Sequence, residues 1–132
     1  MKPVYLLTGA PGTGKTSLIR QVVAGMRGSA GGFYTEEIRT GETRQGFRLV
    51  TLDGQQVVLA QVTIRSQYRV GKYGVDVDAL EQVGVPALLK AAEQSHLVVV
   101  DEIGKMELFS TSFREALSQI IDDGKRVLGT IM

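Results

Sequence analysis

At 132 residues, with 43% hydrophobic and 22% charged residues, the chain has the size and composition of a single globular core. Its 15 Lys and Arg against 14 Asp and Glu leave a net charge of +1, which argues against a nucleic-acid-coating protein or a polybasic membrane-surface protein. Absent cysteine excludes disulfides, thiolate zinc sites and cysteine nucleophiles, and the single histidine, His96, excludes multi-histidine metal centres.

In chain order, Val4 to Leu7 is an apolar run too short for a helix and reads as a buried strand. A glycine-rich loop from Gly9 to Gly14 follows. A helix begins near Lys15 or Thr16, with Leu18, Ile19, Val22, Val23 and Met26 as its core stripe and Gly28 as its stop. Residues from Gly32 to Ala60 change character. The strands Gly32–Arg39, Gly46–Leu52 and Gln55–Ala60, separated by turns at Thr40–Thr43 and Asp53–Gly54, form an antiparallel meander of about residues 32–60. The Asp-Gly pair predicts a tight hairpin with positive φ at both positions. Gln61 to Gly74 has no clear period. Asp76 or Asp78 is positioned to cap a short helix through Leu80 to Val83, and Pro86 fits the first turn of another that runs to about Ala92 or Glu93. His96 opens the apolar strand Leu97–Val100 and reads as structural. Ser112-Phe113-Arg114-Glu115 has capping-box spacing ahead of a helix ended by Gly124, and Arg126 to Met132 reads as a last strand. Alternating buried strands and amphipathic helices imply an α/β fold, a mainly parallel sheet with helices on both faces.

Glycine is the compositional outlier, at 16 residues, above the roughly 7% of average usage. Three of these glycines shape Gly9-Ala10-Pro11-Gly12-Thr13-Gly14-Lys15-Thr16, which fits G-x-x-x-x-G-K-[ST], the Walker A phosphate loop. Strand, loop and helix stand in the order that this chemistry requires. Glycines let successive backbone N–H groups converge on an anion, and the helix start adds unpaired donors and partial positive charge. The expected nucleotide-binding set is Gly9, Ala10, Pro11, Gly12, Thr13, Gly14, Lys15, Thr16 and Ser17. Lys15 would reach the β- and γ-phosphates, and the Thr16 hydroxyl would ligate Mg²⁺. The glycine order disfavours a dinucleotide fingerprint or a protein-kinase loop.

A triphosphate site also needs a carboxylate on the metal side, at the carboxyl end of a neighbouring parallel strand. Asp101, at the end of Leu97–Val100, is placed for that role, and Glu102 is placed to orient and deprotonate an attacking water. A base in that position favours hydrolysis over transfer to an acceptor.

These residues, together with Gly31-Gly32-Phe33-Tyr34-Thr35-Glu36-Glu37-Ile38-Arg39, Arg44-Gln45-Gly46-Phe47, Val70-Gly71-Lys72-Tyr73-Gly74-Val75-Asp76-Val77 and Val100-Asp101-Glu102-Ile103-Gly104-Lys105-Met106-Glu107-Leu108, resemble the cancer-related nucleoside-triphosphatase family. That family has thermophilic bacterial and archaeal members, and the likeness spans nearly the whole chain. It implies a cytoplasmic P-loop ATPase core of the RecA-like group and Mg²⁺-dependent hydrolysis of several nucleoside triphosphates to diphosphate and phosphate. It places Lys15 and Thr16 as phosphate and metal residues, Asp101 as the metal-side acid and Glu102 as the water-activating base. The family continues past the strand ending at Ile131-Met132 with another strand, a helix and a late arginine. Against it, residues 1–132 read as a single P-loop domain without the C-terminal strand and helix. In the RecA-like order the final strand would lie between the loop strand and the Asp101 strand, leaving the loop strand as an edge.

Arg39 and Arg44 flank a turn and Lys72 lies in a glycine-flanked loop; each is a candidate phosphate or base contact, with a solvated hairpin as the alternative for the arginines. Two other functions share the phosphate loop. One is a P-loop nucleoside or nucleotide kinase, with Gln61 to Gly74 and its Arg65, Arg69 and Lys72 as a lid. The other is a nucleotide-binding fragment without turnover. Expected partners are nucleoside triphosphates, with no membrane or nucleic acid, in a monomer or weak oligomer. The N-terminus lacks the apolar region of a signal peptide, and no apolar stretch approaches the roughly 20 residues of a membrane span, which leads to the expectation of a cytoplasmic protein.

Overall fold

The computed structural model describes residues 4–8, 14–26 and 28–131. One sheet of eight strands runs in the order β1-β8-β7-β2-β3-β4-β6-β5. Its parallel half comprises β1 (Val4–Thr8), β8 (Val127–Ile131), β7 (Leu97–Val100) and the start of β2 (Ala30–Thr40). Its antiparallel half continues from β2 through β3 (Thr43–Thr51), β4 (Gln56–Gln61), β6 (Tyr73–Val75) and β5 (Arg69–Val70). The expected α/β class holds, with the meander grafted onto the parallel sheet through the long strand β2. β8 does lie between β1 and β7, and β1 forms an edge whose Tyr5 and Leu6 are exposed.

Helices cover both faces, and the alternation along β7 explains why. Val98 and Val100 point to one side, into a core with Phe33, Leu49, Leu88, Phe113 and Ile120. That core lies under α3 (Val85–Gln94) and α4 (Thr111–Asp122). Leu97 and Val99 point to the other side and pack with Ile19 of α1 (Lys15–Gly25) and with Leu128. A central strand buried on both faces is what a continuous apolar run encodes.

Several local expectations differ from the structure. The helix α1 ends at Gly25, with Met26 already extended, ahead of Gly28. The meander spans residues 30–61. In the β3–β4 connection only Gly54 has positive φ, at +99°, and Asp53 does not. The Thr51 side chain instead organises a longer loop by bonding to Asp53 and accepting from Gln55 N–H. The helical run after Asp76 is continuous. Asp76 caps α2 (Val77–Ala79) by accepting from Ala79 N–H at 3.0 Å, and a π-helical turn, Leu80–Gly84, leads directly into α3. The cap of α4 is Ser110, which accepts from Phe113 N–H at 3.0 Å. Ser112, the expected cap, lies in the first turn and donates to Glu81 at 2.7 Å. Both serines stand three residues before a possible partner, and the helix begins at the first.

Candidate active site

The site forms where β1, β7 and β8 present their carboxyl ends beside the start of α1. Gly14 precedes the helix at φ +87°, a left-handed conformation that glycine adopts without steric cost. Among the described residues it has no side-chain cap, and the first turn carries no acid, so α1 presents its positive end at the site. Gly9 to Thr13, the rest of the expected loop, lie outside the described residues.

Lys15 and Thr16 leave this helix start toward the strand ends. The Lys15 ammonium donates to the carbonyl of Ile131 at 3.2 Å and lies 3.9 Å from Glu102 Oε2. Thr16 donates its hydroxyl to Asp101 Oδ2 at 2.5 Å. Ser17 is exposed on the same turn. Asp101, only 3% exposed, also accepts from Thr130 of β8 at 2.5 Å on Oδ1. Both carboxylate oxygens are thus engaged, so the side chain is fixed in place. Ile103 N–H donates to Thr130 O at 2.8 Å and Asp101 N–H to Phe33 O at 3.1 Å, which anchors the backbone after β7 to both neighbouring strands.

Glu102 follows Asp101 and keeps a side chain 30% exposed. Burial raises its pKa from the ordinary carboxylate value. The nearby Lys15 charge opposes that shift and the Asp101 charge reinforces it. Such an environment makes a carboxylate a stronger base than in water.

Two residues of the site were not singled out for a role from the sequence. Thr130 reads as an ordinary strand residue; its position one past the last residue of β8 paired with β7, facing Asp101, is set by strand order. Glu107, 3% exposed, accepts from Gly104 N–H at 3.0 Å. Burial pushes its pKa up to about 8, with the charges of Glu102 and Asp101 adding and backbone N–H donors opposing. A Cβ placed on Gly104 would sit 3.0 Å from Glu102 Oε1 and 3.3 Å from Glu107 Oε1. The bare glycine therefore lets these two carboxyl groups share one small space.

The structure does not bring Arg39, Arg44 or Lys72 to this cluster. The residues of β2 from Tyr34 onward run past its last pair with β7, which puts Arg39 roughly 20 Å along the strand from Phe33. Arg39 and Arg44 both pair with Glu37, at 2.6 and 3.2 Å, and Arg44 donates to the Tyr73 hydroxyl at 2.9 Å. The Lys72 ammonium sits 5.5 Å from the centre of the Tyr73 ring.

A parallel strand leading to an anion-receptive helix start, with an acid on a non-adjacent strand end, defines an α/β protein of the P-loop nucleotide-binding class. A family model described as NTPase matches residues 4–132. The chain is 51% identical over 126 residues to nucleoside-triphosphatase THEP1 of Thermotoga maritima, covering 96% of this chain and 72% of that protein. The crystal structure of THEP1 from Aquifex aeolicus matches with a TM-score of 0.87 at 38% identity, covering 97% of this chain and 76% of that one. The solution structure of a human cancer-related nucleoside triphosphatase matches with a TM-score of 0.78 at 41% identity, covering 99% and 76%. The chain belongs to this family of THEP1 and cancer-related nucleoside-triphosphatases.

Proposed function

We propose that this chain hydrolyses nucleoside 5′-triphosphates to the diphosphate and phosphate, with Mg²⁺ as cofactor and Glu102 as the base. The carrying observation is the joint placement of Lys15, Thr16, Asp101 and Glu102, with Thr16 2.5 Å from Asp101 and Lys15 3.9 Å from Glu102. Gly9 to Gly14 and the first turn of α1, through Ser17, receive the phosphates, and Lys15 follows the charge that develops on them. Among the described residues no group of three or more Asp, Glu or His could hold a metal alone. A single threonine hydroxyl with one buried carboxylate fits Mg²⁺, which keeps water and substrate phosphate as its other ligands. Thr16 and Asp101 would hold Mg²⁺ there, and the ion would supply positive charge to the phosphate oxygens.

Glu102 takes a proton from the attacking water. Its partial burial keeps the carboxylate basic, and Lys15 holds it toward the phosphate end of the site. Arg39, Arg44 and Lys72 enter this reading only as contacts made on closure of the hairpins. We read residues 1–132 as one P-loop domain carrying the meander, acting as a monomer or weak oligomer in the cytoplasm. No helix among the described residues is long and apolar enough to cross a membrane.

The test is phosphate release from ATP, GTP, CTP and UTP with Mg²⁺. Glu102→Gln is expected to keep ATP binding while turnover falls about a hundredfold or more. Undiminished turnover would remove Glu102 from the chemistry. Labelled phosphate on an added nucleoside, rather than in solution, would mark a kinase.

A further inference from the structure

An open groove of about 410 Å³ lies on the flank of the sheet, lined by Arg69, Val70, Gly71, Lys105, Leu108 and Phe109. One wall is the β5–β6 hairpin and the other is the segment that follows Gly104. Its charge is unbalanced. From Gly54 to Val75 the chain has no acid but carries Arg65, Arg69 and Lys72. Among the described residues Arg65, Arg69, Lys72 and Lys105 form no ion pair, and neither do Arg114, Lys125 and Arg126, whereas Arg20, Arg39, Arg44, Arg48 and Lys90 all do. Arg69 donates to the carbonyls of Ile64 at 3.3 Å and Lys72 at 3.0 Å. These bonds orient its guanidinium and leave its charge uncompensated. Glu107, between Lys105 and Leu108 in sequence, is buried and turned toward Gly104 N–H, away from solvent.

The groove also offers an aromatic surface. Phe109 packs on Tyr68 with ring centres 5.2 Å apart, and Tyr68 and Leu108 remain 37% and 42% exposed. Uncompensated cations beside exposed rings match a ligand with a phosphate at one end and a planar base at the other. The volume is that of a small-molecule site. The chain's net charge of +1 does not extend the cationic surface into a nucleic-acid track.

We infer that this groove binds a nucleoside 5′-monophosphate, with its phosphate between Arg69 and Lys105 and its base against the Phe109–Tyr68 pair. A monophosphate has none of the β- and γ-phosphates that a P-loop lysine reaches, so it discriminates between the two sites. Binding here is independent of turnover, and its failure would leave the hydrolytic reading untouched.

The experiment is an amide NMR titration of the isotope-labelled full chain with AMP, without Mg²⁺. Saturable shifts are expected at Val70, Gly71, Leu108 and Phe109. Lys105→Glu should weaken binding about tenfold or more, since it replaces a charge-assisted contact by repulsion. Tyr68→Ser should weaken AMP binding and leave inorganic phosphate unaffected. In both variants the shift of the Thr16 amide on adding ATP with Mg²⁺ should persist. The inference is overturned by AMP shifts confined to Lys15 and Thr16, by no saturation at millimolar AMP, or by inorganic phosphate binding as tightly as AMP. An oligonucleotide binding the same amides about tenfold more tightly than AMP would also overturn it, marking a nucleic-acid surface.

Discussion

Thr130 donates its hydroxyl to Asp101 Oδ1 at 2.5 Å across the β8–β7 boundary, in surroundings where Thr130 is fully buried and Asp101 nearly so. Thr16 occupies the other oxygen. The helix α1 and the strand inserted between β1 and β7 therefore meet on one carboxylate. Thr130→Val keeps the shape and removes the donor, leaving a buried carboxylate oxygen without its partner. Unfolding in urea should show a loss of about 1–3 kcal/mol. Thr130→Ser should recover most of it. A valine variant as stable as the parent would mean that Asp101 finds another donor there.

Glu107 makes stability depend on pH. Its carboxyl is held near a pKa of about 8 in the folded chain, against an ordinary 4.5 when unfolded. A raised folded value means that folding takes up a proton between these limits. The contribution is fully present below about 4.5, falls as pH rises, and levels off above about 8. The slope from one such group is about 1.4 kcal/mol per pH unit. Glu107→Gln retains an acceptor for Gly104 N–H and cannot ionise. Its stability advantage over the parent should grow with pH through that window in urea melts. Parallel curves would remove Glu107 as the source.

What could be read in advance follows how local the signal is. Val4 to Leu7 as a strand, Lys15 as the start of a helix, and Leu97 to Asp101 as a buried strand ending in acid are local patterns of apolarity and charge that the structure reproduces, except that the edge position of β1 exposes Tyr5 and Leu6, which the apolar run predicts to be buried. The strand order came from the family resemblance, because pairing between distant strands leaves little trace in either strand. The short strands β5 and β6 were illegible for that reason: β6 is held by Ala60 and Gln61 of β4, and its three residues have no period to detect. The α4 cap differs from the expected one because Ser112 has the capping-box partner Glu115 in sequence and Ser110 has none; both serines donate to Glu81, and it is Ser110 that accepts the Phe113 N–H. The role of Glu107 is hidden in the sequence for a related reason. A charged residue in a loop reads as solvated, and burial beside Gly104 exists only after the segment folds back.

Gly32 should be intolerant of any side chain, on grounds of folding alone. Its φ is +108°, outside the range that L residues adopt readily, and a Cβ would lie 2.0 Å from the Val99 carbonyl oxygen. That oxygen belongs to the central strand β7 and cannot retreat without disturbing the sheet. Gly32→Ala is expected to cost about 3 kcal/mol or more, read as a lower urea midpoint or as insoluble expression. A soluble variant with an unchanged midpoint would show that β2 can leave β7 cheaply.

Gly104 invites the same substitution with the opposite division of effects. Its backbone has no positive φ, and the atoms that a Cβ would meet include Glu102 Oε1 at 3.0 Å and Glu107 Oε1 at 3.3 Å, both ends of side chains. These can move, so Gly104→Ala should change stability by about 1 kcal/mol or less. The movement falls on the proposed base, however, and a displacement of about 1 Å at a reacting group can cost on the order of a hundredfold in rate. Turnover should therefore drop while the urea midpoint stays close to the parent and ATP binding persists. If turnover and midpoint fall together, Gly104 is supporting the fold of the loop. If neither moves, the position of Glu102 seen here is not the one used for hydrolysis.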